Sequence, residues 1–143
     1  MGDFGISQRF VETRELEHPE YRANRPDRCF HCKTELFRVL GEVRRELDFD
    51  SVAYGVNTDD LGDFRPGHRA AEAGGVRSPF LEAGLGKQEI RELSRAAGLP
   101  SADLPASACL SSRLPYGREV TPERLAAVEA GEAALHALGF RQV

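Results

Sequence analysis

The residues of this chain best able to do chemistry are three cysteines, a Ser–Arg pair beside one of them, and a cluster of aspartates. Cys29-Phe30-His31-Cys32 is a C-x-x-C pair at the start of a helical pattern. Thiolates there gain from the helix dipole and its unpaired N–H groups, and the three-residue offset lets both sulfurs face one metal. The pair alone is ambiguous. A structural zinc site asks for four protein ligands, and there is no second C-x-x-C. A thioredoxin-type redox pair needs a preceding strand, and none is evident; two inert thiols are the plain alternative. His31, between the two, is a candidate ligand or a support for one, whereas His18, His68 and His136 read as ordinary surface or helix residues.

The third thiol, Cys109, sits in PASACLSSRLPYG. A cysteine followed by Ser111, Ser112 and Arg113, in a loop with free backbone N–H groups, has the character of an anion site beside a nucleophile. Arg113 would give a two-pronged donor to phosphate or carboxylate and lower the thiol pKa. A buried, inert cysteine in a Pro-rich turn fits the same residues. In GVNTDDLGDFRPG, Asp59, Asp60 and Asp63 follow a short apolar run. Beyond the C-terminal end of a strand, carboxylates and Asn57 could hold Mg²⁺ through water or read a nucleotide's hydroxyls. A solvated acidic loop braced by Asp63, Arg65 and Pro66 is the alternative.

The elements that must position these residues follow from periodicity. Residues 1–26 read as a short amphipathic piece and a breaker-rich loop, EHPEYRANRP. Leu36, Leu40, Val43 and Leu47 recur at helical spacing over Cys29–Leu47, with Pro26-Asp27 as a start signal. Ser51–Asn57 (SVAYGVN) reads as a buried parallel strand. His68–Ala73 makes a helical turn or two, and VRSPFLEAGLGK a second possible strand. Lys87–Ala97 is a helix with Ile90, Leu93 and Ala97 on one face and Gly98 as its stop. A long Pro-bounded, Ser-rich loop carries Cys109. Thr121 then caps a last helix with Pro122 at its first position, a face of Leu125, Val128, Leu135 and Leu138, and Gly139 at its end. Helices alternating with short apolar strands predict an α/β layered fold, although two strands are few for a doubly wound sheet.

Composition excludes several classes. The chain has 143 residues, 19 basic and 23 acidic, for a net charge of −4, with 41% hydrophobic and 29% charged residues. That apolar share is too high for disorder, and a chain this long can form one domain. The acidic balance speaks against general nucleic-acid binding, which needs a concentrated positive face. No apolar run approaches a membrane span, and MGDFGISQRFVETRE has no signal-peptide core. Its Gly2 and Ser7 miss the spacing of a myristoylation signal. These readings predict a cytoplasmic protein with no membrane and no nucleic-acid partner. An odd cysteine count without an export signal favours metal or thiol chemistry over a disulfide framework.

Three collinear segments together resemble one family: RPDRCFHCKTELF, YGVNTDDLGDFRPGHRAAEAGGVRSPFLEAGLGKQEIRELSRAAGLP and LPASACLSSRLPYGREVTPERLAAVEAGEAALHALGF. They resemble the LarE family, ATP-dependent sulfur-insertion enzymes of the PP-loop pyrophosphatase superfamily, from about His18 onward. The ACLSSR-PYG and N-x-DD-x-x-D-x-RPG motifs carry the likeness far more specifically than C-x-x-C. The resemblance implies a partial Rossmann-like parallel sheet with flanking helices over residues 1–105. It also implies a sulfur-transfer loop and the start of a substrate domain over 106–143. The family adenylates a carboxylate of pyridinium biscarboxylic acid mononucleotide with MgATP, and sulfur then displaces AMP to leave a thiocarboxylate. This is a step toward the nickel-pincer nucleotide cofactor of lactate racemase.

In one branch of the family a single cysteine gives up its own sulfur. In the other, three cysteines hold a [4Fe-4S] cluster that carries an extra sulfide. The resemblance maps the common cysteine onto Cys109, and Cys29 and Cys32 place the chain with the three-cysteine branch. It places Gly55, Asn57, Asp59 and Asp60 near ATP, and Ser112 and Arg113 near the substrate phosphate. Two departures stand out. The Ser-Gly-Gly-x-Asp-Ser phosphate loop is absent, with Gly74-Gly75 no substitute, and the family's basic C-terminal segment would begin where FRQV stops. The expectation is a central fragment that keeps a three-cysteine site without adenylating substrate, and a homo-oligomer at full length. Two alternatives remain open: a zinc- or thiol-binding module without catalysis, with Cys29, Cys32, Cys109 and His31 or water as ligands, and a tRNA-thiolating PP-loop enzyme. The acidic balance argues against the second.

Overall fold

The computed structural model describes residues 5–62 and 66–143. Its helices are α1 (Pro19–Arg22), α2 (Arg28–Glu46), α3 (Gly67–Ala73), α4 (Pro79–Glu82), α5 (Lys87–Ala96) and α6 (Pro122–Ala137). Short 3₁₀ turns occupy Glu15–Glu17, Thr58–Gly62 and Leu110–Arg113.

Helix α2 is the spine. Arg44 and Arg45 in its last turn complement the negative end of the dipole, and Asp48, with φ +54°, turns the chain out of it. Phe37 from α2 is buried against Ala70 and Ala71 of α3, with Phe30, Leu40, Tyr54 and Val76 packed around them. The small residues of α3 let the two helices approach closely. At Gly67 an added Cβ would lie 3.1 Å from Lys33 Cγ, so the lysine stem would have to move.

The expected parallel sheet does not form: the described residues contain no sheet. Ser51–Asn57 and the run after Gly75 meet at a single parallel bridge, Ala53 to Arg77. Its bonds are Arg77 N–H to the Val52 carbonyl at 2.8 Å and Tyr54 N–H to the Arg77 carbonyl at 3.1 Å. The pairing stops there because Pro79, with no N–H and a helix-compatible φ, opens α4 where a strand was expected. A two-segment ladder one bridge long lacks the neighbours that make strands stable. The partial Rossmann-like architecture is therefore replaced by α1 and α3 packed on α2, with α6 set against the Leu110–Arg113 turn and irregular segments between the helices.

Helix α6 begins as its sequence demands, with Pro122 in the first turn and the Thr121 hydroxyl accepting from Arg124 N–H at 3.4 Å. Its apolar stripe is not buried as expected. Leu125 and Val128 are half-buried, while Leu135 and Leu138 are exposed. On α5, Ile90 is half-buried and Leu93 exposed. Among the described residues, no helix is long and apolar enough to cross a membrane.

Candidate functional site

The first turn of α2 presents Cys29, which is exposed, and Cys32, which is half-buried. Cys109 stands at the start of the Leu110–Arg113 turn, as its N-terminal cap. What brings this distant loop to α2 is a pair of buried polar side chains that no motif marks. Asn24 is wholly buried, and its amide donates to the carbonyls of Pro115 and Arg118, both at 2.9 Å, and more weakly to Leu114 at 3.4 Å. The Asn24 carbonyl accepts from Gly117 N–H at 2.9 Å, and Val120 N–H bonds the Arg22 carbonyl at 2.8 Å. Arg28, also buried, donates to Asn24 Oδ1 and, at 2.8 Å, to the Ser111 carbonyl.

Ser111 is the hinge between the two sides. Its hydroxyl lies 3.3 Å from Cys109 Sγ in a partly buried contact, and Ser111 draws down the buried Tyr21 phenol that burial pushes up. Burial pushes the Cys109 thiol up, and opposing influences outweigh it. Hydrogen bonds from Ser111 and Ser112 and the charge of Arg28 hold Cys109 below the ordinary thiol range. Cys32 goes the other way. Burial, then the charges of Glu15 and Cys109, push it up to about 11, against the weaker pull of Lys33. The two thiols are thus shifted in opposite directions. Glu15 Oε2 is itself buried without a hydrogen-bond partner.

Other candidates are engaged elsewhere. The Ser112 hydroxyl donates to the Cys109 carbonyl at 2.6 Å, closing the turn. Arg113 Nε pairs with Glu132 of α6 at 2.8 Å, and its guanidinium also reaches the Val143 carbonyl. Asn57 Oδ1 accepts from Asp59 N–H at 3.0 Å, and Asp60 Oδ2 accepts from Asn57 N–H at 3.1 Å. Asp59 Oδ2 accepts from Lys87 N–H at 2.5 Å, so this aspartate sits on the N-terminus of α5. Gly55 lies against the Phe80 ring, 3.7 Å from where a Cβ would stand. His31 Nε2 is 3.4 Å from Asp27 Oδ2. Asp63 and Arg65 fall outside the described residues, as does Gly2. Among the described residues, no three His, Cys, Asp or Glu side chains form a group that could hold a metal ion.

Sequence reasoning missed Tyr21, Asn24 and Arg28. Arg28 did carry a signal, since a cation in the first turn of a helix opposes the dipole and asks for a compensating role.

No family model matches the chain. It is 46% identical over 139 residues to an uncharacterized protein of Synechocystis sp., covering 97% of this chain and 52% of that protein. To an uncharacterized protein of Methanocaldococcus jannaschii it is 35% identical over 106 residues, 74% of this chain and 41% of the relative. It is also 33% identical over 128 residues to the pyridinium-3,5-bisthiocarboxylic acid mononucleotide synthase of Lactiplantibacillus plantarum, over 90% of this chain and 46% of that enzyme. The likeness is to the LarE family. The chain spans about half the length of the curated relatives it matches. The LarE-like stretch takes in both the α2 cysteines and the Cys109 loop, the two parts that the Asn24–Arg28 pair joins.

Proposed function

We propose that this chain is the thiol-bearing part of a LarE-type sulfur transferase acting in nickel-pincer cofactor biosynthesis, with Cys109 as the sulfur-donating residue. The observation that carries the reading is the environment of Cys109, with the Ser111 hydroxyl 3.3 Å from its sulfur and the buried Arg28 guanidinium 2.8 Å from the Ser111 carbonyl. The named relative makes a bisthiocarboxylate, so sulfur must replace carboxylate oxygen in that protein's reaction. A carboxylate is a poor electrophile, and adenylation by MgATP gives it a leaving group. The Cys109 thiolate attacks the acyl carbon, AMP departs, and a thioester joins protein and substrate. Loss of the Cys109 α-proton to a base then breaks the Cβ–Sγ bond. The thiocarboxylate leaves with the sulfur and dehydroalanine remains. A depressed thiol pKa serves the first half by raising the thiolate fraction, and in the second half the acyl group on sulfur makes the thiocarboxylate a good leaving group.

The nucleotide and metal groups of the family fit less directly. Asn57, Asp59 and Asp60 commit side-chain oxygens to their own turn and to α5, and their service to ATP or Mg²⁺, with Gly55 beside them, requires those bonds to open. Arg113 answers Glu132, and its service to the substrate phosphate together with Ser112 requires that pair to open. The three thiols do not form a metal-holding group. A second reading, in which Cys29, Cys32 and Cys109 hold a [4Fe-4S] cluster that carries the transferred sulfide, is favoured by the bond from Arg28 to the Ser111 carbonyl, which ties the Cys109 loop to the helix that carries the other two thiols.

The test is to incubate the protein that contains this chain with MgATP and pyridinium biscarboxylic acid mononucleotide, then weigh product and Cys109 peptide. Thiocarboxylate formed with loss of the elements of H₂S from Cys109 is the expected result. Thiocarboxylate with Cys109 intact, in a protein that gains visible absorption on anaerobic iron–sulfide reconstitution and loses it on replacing any one cysteine, selects the cluster reading. No thiocarboxylate under either condition overturns both.

A further inference from the structure

We propose that Asn24 and Arg28 are positioning residues that latch the Cys109 loop to the first turn of α2, so that the Cys109 and Cys32 thiols face each other across the joint. The inference rests on the sulfur-transfer reading for its purpose, but its geometry stands independently. Every hydrogen-bonding atom of the Asn24 amide is used. Nδ2 serves the Pro115 and Arg118 carbonyls, and Oδ1 takes the Arg28 guanidinium. Arg28 passes the chain of bonds on to the Ser111 carbonyl, two residues from Cys109. One side chain from the α1–α2 corner and one from α2 thereby fix the loop at Ser111, Pro115 and Arg118.

The latch is costly to build, which argues for a purpose beyond packing. Arg28 is a buried cation, and among the described residues no carboxylate pairs with it; it also stands at the positive end of its helix. An apolar residue in its place would remove both penalties but could not capture a carbonyl across the joint. Asn24 adopts φ +51°, a left-handed conformation that favours Gly or Asn, so the position both turns the chain and supplies the amide. Cys32 lies four residues from Arg28, one turn along the same face of α2, and the Ser111 whose carbonyl Arg28 holds has its hydroxyl 3.3 Å from Cys109 Sγ, so the joint runs between the two thiols.

The experiment uses the chain's three cysteines in pairs. In a Cys29→Ser background, dibromobimane, which fluoresces once both of its arms have reacted, reports crosslinking of Cys32 to Cys109. In a Cys109→Ser background it reports Cys29 to Cys32 within α2 and serves as the control for an intact helix. Into each background go Arg28→Met and, separately, Asn24→Gly, which keeps the left-handed backbone and removes only the amide.

The expected result is efficient Cys32–Cys109 crosslinking in the parent, slowed about ten-fold or more by either substitution, as for loss of one hydrogen bond to a charged group. The Cys29–Cys32 crosslink stays at the parent rate. Should Arg28→Met unfold α2 and lose both crosslinks, Asn24→Gly alone decides. The proposal is overturned if the parent gives no Cys32–Cys109 crosslink, or if Asn24→Gly leaves it at the parent rate. Neither ATP nor substrate is needed, so a latched protein that transfers no sulfur refutes the functional reading alone.

Discussion

The Cys109 loop and the Thr58–Gly62 turn are both short, polar and held by hydrogen bonds, but the bonds come from opposite directions. The Cys109 loop is gripped from outside, by Asn24 and Arg28 reaching across from the α1–α2 corner. The Thr58–Gly62 turn grips itself, with Asn57, Asp59 and Asp60 closing on one another and on the start of α5. The grip from outside leaves the Cys109 sulfur with the Ser111 hydroxyl beside it, although Ser112 and Arg113 of the same loop are engaged. A loop that satisfies itself has already committed the groups that a ligand would need. The richer motif in carboxylates is thus the poorer site as it stands, and the plainer segment of Cys109 and Ser111 the better one.

Removing the grip should show the larger effect. Arg28→Met leaves Asn24 Oδ1 and the Ser111 carbonyl buried without their donor, at a cost of about 2–4 kcal/mol. Urea denaturation measures it, and a loss under about 0.5 kcal/mol would mean that the loop is not held from outside. Next is the buried Glu35 of α2. Arg38 hydrogen-bonds the buried Glu35 through two nitrogens at 2.8 and 2.9 Å; this outweighs burial, Arg14 N–H and the nearby His18 assist, and the carboxyl is held at about 2. A folded-state pKa below the unfolded value contributes stability above about pH 4.5 that drains away as pH falls toward 2. Glu35→Gln should flatten that limb of the stability–pH curve. An unchanged limb would remove Glu35 from its cause.

The self-held turn should give smaller, local losses. Asp59→Ala removes the acceptor on Lys87 N–H and should cost about 1 kcal/mol, with Cys32–Cys109 crosslinking unchanged. If that crosslinking fell as well, the two regions would be coupled and the contrast between them would fail. Smallest of all, Thr121→Ala gives up a long 3.4 Å cap on α6 and should cost about 0.5 kcal/mol, seen as a slightly lower melting temperature.

How much of this was legible beforehand depended on sequence distance. Helices α2, α5 and α6 could be read from periodicity, from Gly98 and Gly139, and from the Thr121-Pro122 cap, because those signals lie within a turn or two of what they control. The strands could not. Val52, Tyr54 and Val56 have strand-like residue types, but a strand exists only with partners, and Pro79 turns the one available partner into α4. The exposed Leu135 and Leu138 teach the same point, since a stripe states which face is apolar and leaves open what covers it. The thiols were legible by type. The latch was hidden because Asn24 and Arg28 are ordinary residues whose partners lie far along the chain.

That distance has a consequence for the order of assembly. Asn24 meets Pro115 across 91 residues of sequence, and closing so long a loop costs about 4 kcal/mol of chain entropy before any of its bonds repay it. Helix α2, by contrast, forms from local contacts. Cys29 and Cys32 should reach their final spacing early, while Cys109 joins them only when the intervening chain has folded. The two helix thiols alone are an unremarkable pair, so the reactive combination would arise as a late product of folding. A half-folded chain would carry the same three sulfurs without the means to bring them together.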